Sequence, residues 1–131
     1  MITSETIRAS EHLIGEFDPT CGGVVTFCGV VRSPHEGHEV VGIFYDCYRE
    51  MAEREIDSIV AAIKKECSVE SIKVVHRIGE VAVGEVSLLV AVAAEHRREA
   101  FVAAQRVIDE IKRRVPIWKK ERYADSATKW L

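Results

Sequence analysis

Side chains with amine and guanidinium groups concentrate near the C-terminal end of the sequence. Residues 97–122 contain nine of the eighteen Lys and Arg residues but only four acids. Nine minus four gives this stretch +5, so the other residues carry −8 within a total of −3. Lys112 and Lys119 lie on either side of Pro116. A lysine held in a cleft attacks carbonyl carbons or transfers protons, and fixed cations bind anions. The pattern predicts a site for an anionic target.

Both lysines also have a simpler interpretation. Lys112 falls about 80° from the centre of the apolar face of a predicted helix, where lysine methylenes commonly cover the edge of a core. Lys119 and Lys120 follow Trp118 directly, and in this simpler interpretation they form a solvated pair of charges. Against this, Pro116 fixes the chain direction and Trp118 anchors the segment, which favours a Lys119 held in one place.

Further candidates lie at the predicted ends of elements. His96 and Arg97 begin the long helix, where free backbone amides favour an anion and a guanidinium adds a bidentate fork. Arg32 ends a predicted strand in a similar way, although an arginine at a strand end commonly faces solvent. His76 and Arg77 lie within a strand and are interpreted as structural.

The sequence does not predict a metal site or a bound cofactor. His35 and His38 lie in a loop, but no third ligand is nearby. A P-loop, a dinucleotide fingerprint and a nucleophile elbow are all missing from the sequence. Four cysteines lack the close spacing of zinc ligands, so we interpret them as buried or half-buried fillers. They are Cys21, Cys28, Cys47 and Cys67.

The elements that must position these residues follow from hydrophobic periodicity. Strands are predicted at residues 23–32, 39–48, 71–78 and 85–94, and helices at residues 49–67 and 95–115. This β-β-α-β-β-α order predicts an α+β fold, with two main helices on a mixed, mostly antiparallel sheet, in one domain of residues 1–131. The first two strands are expected to pair as a hairpin, and Gly29 to allow either a bulge or a close approach by a ligand or by backbone.

The same periodicity predicts which helix faces are buried. For the first helix the predicted face consists of Ala52, Ile56, Ile59, Val60, Ile63 and Cys67. For the second helix it consists of Phe101, Ala104, Ile108, Ile111 and Val115, and Pro116 ends this helix.

Composition places the chain among soluble globular proteins. Hydrophobic residues make up 47%, enough for a core, and charged residues make up 30%. The N-terminal residues have no basic start followed by an apolar run, so we expect a cytoplasmic protein. The slightly negative net charge argues against broad nucleic-acid binding.

Four segments together resemble a known family. They are VVTFCGVVR, HRIGEVAVGE, EHRREAF and VPIWKKE, at residues 24–32, 76–85, 95–101 and 115–121. Their order and spacing are similar to the large, catalytic subunit of molybdopterin synthase, the MoaE family. The resemblance covers about residues 22–130, and residues 1–20 match loosely.

The resemblance implies a hammerhead-like fold and a reaction. The family adds two sulfurs, as a dithiolene, to cyclic pyranopterin monophosphate (precursor Z). The sulfur arrives as a thiocarboxylate on the C-terminal Gly-Gly of a small ubiquitin-like subunit of the MoaD type. Two large subunits form a central dimer, with a small subunit at each end.

The resemblance also assigns residues. The family's essential lysines correspond to Lys112 and Lys119. Its anion- and pterin-binding positions correspond to Arg32, His96 and Arg97, with Lys120 and Glu121 beside the second lysine. The cysteines are expected to be dispensable, because the sulfur comes from the partner.

Two functions of other classes remain open from sequence. A non-catalytic module for phosphorylated small molecules needs the anion site but not Lys112. An adaptor for a ubiquitin-like protein binds a Gly-Gly tail and is indifferent to pterins.

Overall fold

A computed structural model of the chain describes residues 1–12 and 17–131. The predicted elements are present as β2 (Gly23–Val30), β3 (Val40–Cys47), α1 (Arg49–Cys67), β4 (Ser71–Arg77), β6 (Val86–Ala94) and α2 (Arg97–Arg114). The structure adds β1 (Ile2–Thr3), a 3-10 helix (Ala9–His12), β5 (Gly79–Ala82), β7 (Ile117–Tyr123) and β8 (Thr128–Trp130). The predicted α+β class is confirmed. Within the loosely matching segment 1–20, residues 13–16 lie outside the described residues.

The strands form two four-stranded sheets. The first has the order β1-β4-β6-β2, and it is mixed because β1 runs parallel to β4 while the other pairs are antiparallel. The second has the order β5-β3-β7-β8 and is antiparallel throughout. The predicted single sheet is therefore divided between two, one covered by the helices and one at the end of α2.

The predicted hairpin of the first two long strands is wrong. β2 pairs with β6, with Val25 opposite Val92, whereas β3 pairs with β5 and β7. Alternating apolar residues identify a strand but do not specify its partner, because that choice depends on which sheet the helices cover.

The two helices pack on one face of the first sheet. The predicted face of α1 is confirmed in its buried residues Ala52, Ile56, Ile59 and Ile63, whereas Val60 and Cys67 are half-buried. The predicted face of α2 is partly wrong, because Phe101 is 61% exposed and Ile108 is half-buried. Ala104, Ile111 and Val115 of the predicted face are buried, and the face also includes the buried Ala100, Ala103 and Val107. Small side chains allow a helix to approach a sheet closely, although their low hydrophobic weight makes them weak sequence signals.

The proline after α2 redirects the chain into the second sheet. Val115 leaves the helix in an extended conformation, with φ −79° and ψ 125°, as expected for a residue before proline. β7 then pairs antiparallel with β3 from Ile117, opposite Cys47, to Tyr123, opposite Val40. The segment after Pro116 is thus a central strand of the second sheet.

Two glycines adapt β2 to its neighbours. The pairing register with β6 shifts between Gly29 and Val30, as the predicted bulge requires. At the other end of β2, a Cβ on Gly22 would lie 2.5 Å from the carbonyl oxygen of Glu95. The close approach at Gly22 holds the beginning of β2 against the turn that precedes α2.

Among the described helices, none is both long enough and apolar enough to cross a membrane.

The buried face of α1 makes a testable prediction. Ile59 is 1% exposed, so we expect Ile59→Ala to lower the free energy of unfolding by about 2–5 kcal/mol through lost burial and the cavity left behind. Asp57→Ala, on the exposed side of the same helix, is expected to change it by no more than about 0.5 kcal/mol. Chemical denaturation measures both, and equal effects would contradict the packing described.

Candidate functional site

A cavity of about 420 Å³ lies where the C-terminal end of α2 meets the two sheets. Its size is typical of a site for a small molecule. Apolar side chains form much of its wall, namely Phe27, Ile43, Leu88, Ile111, Val115 and Ile117. The polar and charged side chains are Arg32, His35, Tyr45, His76, Ser87, Lys112, Lys119 and Glu121.

Three predicted cations line this one cavity from different elements. Arg32 follows β2, Lys112 lies in the last turn of α2, and Lys119 lies in β7. All three residues are exposed to solvent, so their charged groups lie where a ligand enters. The fold thus brings together amines and a guanidinium that are separated by up to 87 positions in the sequence. Such a cluster binds anions and stabilises negative charge that develops during a reaction.

Strand alternation in β7 separates Lys119 from Lys120. Side chains two residues apart share a face of a strand, so Lys119 and Glu121 both line the cavity. Lys120 does not line it, because its ammonium lies 4.9 Å from the centre of the Trp130 ring. Within one chain Lys120, which the resemblance assigns to substrate binding, thus lies outside this cavity. Its contact is a cation–π interaction that ties β7 to β8.

Glu121 is a buried carboxylate in the wall of the cavity. It is 3% exposed, and its Oε1 lies 2.9 Å from Nδ1 of His35. Burial opposes its charged form, but hydrogen bonds from His35 and Tyr123 outweigh that effect and hold the pKa of Glu121 below its ordinary value. Glu121 is therefore suited to hold His35 in place, rather than to contact an anionic ligand directly.

His76 is a residue of the cavity that the sequence analysis assigned to structure. Its ring is 7% exposed, packs edge-on against Tyr45 at 5.3 Å, and lines the cavity. Burial lowers the pKa of His76, and the nearby charge of Lys119 lowers it further, in spite of a hydrogen bond to the Arg77 carbonyl. The sequence signal was present, because His76 lies among apolar residues of a strand where an unpartnered histidine is costly.

His96 and Arg97 lie away from the cavity within one chain. They stand at the N-terminal end of α2, and Lys112 stands near its C-terminal end. Fifteen residues of α-helix separate Arg97 from Lys112 by about 22 Å along the axis. The His96 side chain is 72% exposed, and its nearest acids are Glu95 and Glu99 at 3.9 and 4.0 Å.

The two histidines of the loop, His35 and His38, contact other groups of the protein. The backbones of His35 and His38 pair with each other, and the His38 ring packs on Tyr123 at 4.8 Å. Across residues 1–12 and 17–131, no group of three or more His, Cys, Asp or Glu side chains is arranged to hold a metal. The four cysteines are free and half-buried, in agreement with their interpretation as fillers.

The carboxylate of Glu121 should make stability depend on pH. Because its folded-state pKa lies below the ordinary 4.5, its contribution is complete above about pH 4.5 and is lost as the pH falls through the lowered value. We expect Glu121→Gln to cost about 1–3 kcal/mol at neutral pH, and this difference from the wild type to shrink in acid.

Urea denaturation between pH 3 and pH 7, an interval of about four units that includes the ordinary carboxyl pKa, measures this difference. The matched control is Glu80→Gln, whose exposed carboxylate pairs with Arg122 at 2.7 Å and should contribute less than about 1 kcal/mol. A pH-independent cost at Glu121 would show that shape rather than charge matters there.

Known proteins share both the sequence and the fold. The profile of the family described as MoaE protein matches residues 2–114. The molybdopterin synthase catalytic subunit of Thermoplasma volcanium is 39% identical over 129 residues, which cover 98% of this chain and 94% of that protein. The protein of the same name from Bos taurus is 39% identical over 128 residues, covering 98% of this chain and 68% of that protein.

A solved structure supports the same grouping. The crystal structure of molybdopterin synthase from Staphylococcus aureus superposes with a TM-score of 0.92 at 33% identity, covering 99% of this chain and 94% of that chain. Sequence and architecture thus agree over nearly the whole length. The chain belongs to the MoaE family, the family of molybdopterin synthase catalytic subunits.

Proposed function

We propose that this chain transfers sulfur to cyclic pyranopterin monophosphate and so forms the dithiolene of molybdopterin. The sulfur donor is the thiocarboxylated C-terminus of a small ubiquitin-like subunit. The observation that carries this proposal is the convergence of Arg32, Lys112 and Lys119 on one cavity of about 420 Å³. We place the reaction in the cytoplasm, where four free cysteines persist as thiols, and treat residues 1–131 as one catalytic domain.

The charges of the cavity suit both reactants. The acceptor carries a cyclic phosphate and the donor ends in a thiocarboxylate, so both bring negative charge to the same place. Arg32 binds phosphate oxygens through its planar fork, and the two lysines supply point charges. The apolar wall, which includes Phe27 and Ile117, covers the flat face of a pterin ring.

The two lysines act on the groups that change charge. We assign Lys112 to the reacting carbon or the thiocarboxylate carbonyl. We assign Lys119 to charge stabilisation and proton transfer as the phosphate ring opens. Glu121 contributes indirectly by holding His35, and the cysteines have no part because the sulfur comes from the partner.

His96 and Arg97 join this site through a second copy of the chain. About 22 Å of helix separates them from Lys112, so they cannot reach a ligand held at Lys112 of their own chain. A two-fold dimer repeats every contact, and in the dimer that we propose the first turn of α2 of each copy lies at the cavity of the other. Each cavity then gains a helix N-terminus, an imidazole and a guanidinium for the phosphate.

A lysine substitution tests the chemistry. We expect Lys112→Ala to slow dithiolene formation by about 10²- to 10³-fold, because charge that develops in the transition state loses a fixed cation. Precursor binding should remain. The measurement is product formation from purified precursor Z and thiocarboxylated small subunit, together with precursor affinity by calorimetry.

Arg113→Ala is the matched control, since Arg113 is the next residue of α2 and pairs with Glu110 at 2.7 Å outside the cavity. It should retain wild-type turnover. Wild-type protein that binds precursor without forming product would identify a binding module instead. Protein that binds the small subunit but not precursor would identify an adaptor.

Mixing two inactive variants tests the composite site. Arg97→Ala and Lys112→Ala each damage every site in their own dimers. A mixed dimer rebuilds one intact site, from Lys112 of one copy and Arg97 of the other. Random re-association should therefore restore about a quarter of wild-type activity. No recovery in dimers shown to have exchanged subunits would mean that Arg97 and Lys112 serve different sites.

A further inference from the structure

His76 has a basic ring nitrogen, Nε2, in the wall of the cavity. The proposed function gives this nitrogen no role. The Nδ1 atom of His76 lies 2.9 Å from the carbonyl oxygen of Arg77. A carbonyl oxygen can only accept a hydrogen bond, so Nδ1 carries the proton and donates it. In the neutral ring, Nε2 then holds a lone pair. Within the described chain Nε2 has no hydrogen-bond partner, although the ring lines the cavity.

The ring is also held rigidly. The His76 backbone amide donates to the Met1 carbonyl at 2.9 Å, and His76 lies opposite Leu88 in the pairing of β4 with β6. Tyr45 packs edge-on against the ring from β3. A catalytic group held by a central strand on two sides needs little reorganisation during a reaction.

Other groups of the cavity are less suited to accept a proton. The carboxylate of Glu121 is engaged by His35 and Tyr123, and its pKa is lowered, which makes it a weak base. Both ring nitrogens of His35 face carboxylates, with Nδ1 2.9 Å from Oε1 of Glu121 and Nε2 3.9 Å from Oε1 of Glu36. Burial raises the pKa of Tyr45, so its phenol remains protonated.

The charges around His76 favour its neutral form. Lys119 faces it from β7, and the N-terminal ammonium of Met1, the residue before β1, also lies near it; both charges lower its pKa. Tyr45 of β3 is neutral. Burial and these cations both disfavour an imidazolium, so the lone pair of Nε2 is available at neutral pH.

Sulfur transfer creates a step that needs such a base. The thiocarboxylate sulfur that bonds to a substrate carbon is still bonded to its own acyl carbon. The product is therefore a thioester that links the small subunit to the pterin. The sulfur stays with the pterin only when the acyl C–S bond breaks.

We propose that His76 is the general base for hydrolysis of this thioester. Nε2 takes a proton from a water molecule as its oxygen bonds to the acyl carbon. The C–S bond then breaks, the sulfur leaves with the electron pair as a thiolate on the pterin, and the small subunit regains a carboxyl group. His76 releases its proton to solvent, and the Lys119 ammonium stabilises the negative charge on the acyl oxygen.

Attack by water also explains why a histidine is needed beside two lysines. A lysine amine that attacked the thioester would form an amide with the small subunit, and an amide is far harder to hydrolyse. A base that activates water releases the small subunit in a form that can accept sulfur again. This inference rests on the proposed sulfur transfer.

The test is a single turnover with thiocarboxylated small subunit and precursor Z, followed by mass spectrometry across a pH series. His76→Asn keeps an N–H donor near the position of Nδ1 but lacks Nε2. We expect it to form the thioester-linked species and to hydrolyse it about 10²- to 10⁴-fold more slowly, so that this species accumulates. His38→Asn, which changes a histidine outside the cavity, should behave as the wild type.

The pH dependence of thioester hydrolysis by the wild type is a second measurement. It does not depend on whether a variant folds. In the wild type, thioester hydrolysis should slow as the pH falls through the pKa of His76, which lies below the ordinary 6.5. The pKa from a nitrogen NMR titration of the His76 ring should match the kinetic value, with Nδ1 protonated throughout.

The outcomes separate the two proposals. If the wild type forms dithiolene while His76→Asn hydrolyses the thioester at the wild-type rate, only the base assignment is overturned. A mismatch between the kinetic and NMR pKa values overturns it as well. If the wild type forms neither thioester nor dithiolene, the proposed sulfur transfer fails, and the role of His76 fails with it.

Discussion

The pairing of β7 with β3 is the constraint on which the site depends. It places Lys119 opposite Tyr45 and Glu121 opposite Ile43, and both side chains line the cavity at the end of α2. Pro116 makes this possible by ending α2 just after Lys112, so that the helix and the strand meet at one place. A slip of one residue in this register would place Lys120 in the cavity and remove Lys119 and Glu121. The chemistry thus depends on hydrogen bonds between backbones.

The electrostatics of the cavity combine exposed cations with buried groups of different charge. Arg32, Lys112 and Lys119 are exposed, where solvent moderates their mutual repulsion. Deeper in the wall, Glu121 remains charged because its hydrogen bonds outweigh burial, whereas burial and neighbouring cations keep His76 neutral. One buried group thus stays charged while the other stays neutral. A site with two such titratable groups can supply both charge stabilisation and a base at neutral pH.

The geometry of α2 links the proposed chemistry to assembly. A helix of 18 residues is too rigid to bring His96 and Arg97 to Lys112 of the same chain. In the proposed dimer, each copy provides amines to one substrate and phosphate-binding groups to another. Substrate binding and the chemical steps would then both require paired chains, which explains why a cavity within one chain has cations but no helix N-terminus.

The sequence by itself determined much of the local structure and predicted three of the cations that line the cavity. The helix ends, the apolar face of α1, the stop at Pro116 and the irregularity at Gly29 all follow from steric rules and periodicity that act over a few residues. The resemblance, carried by short motifs in order, identified Arg32, Lys112 and Lys119, which the fold brings to one cavity.

Only the tertiary structure decided which strands pair, which side of α2 is buried, and which residues of β7 enter the cavity. β2 pairs with β6 rather than with β3, the alanines of α2 rather than Phe101 contact the sheet, and Lys120 packs on Trp130. It also moved His76 from a structural interpretation to the cavity wall. Periodicity predicts which side chains share a face. The surface that this face packs against depends on contacts between residues far apart in the chain.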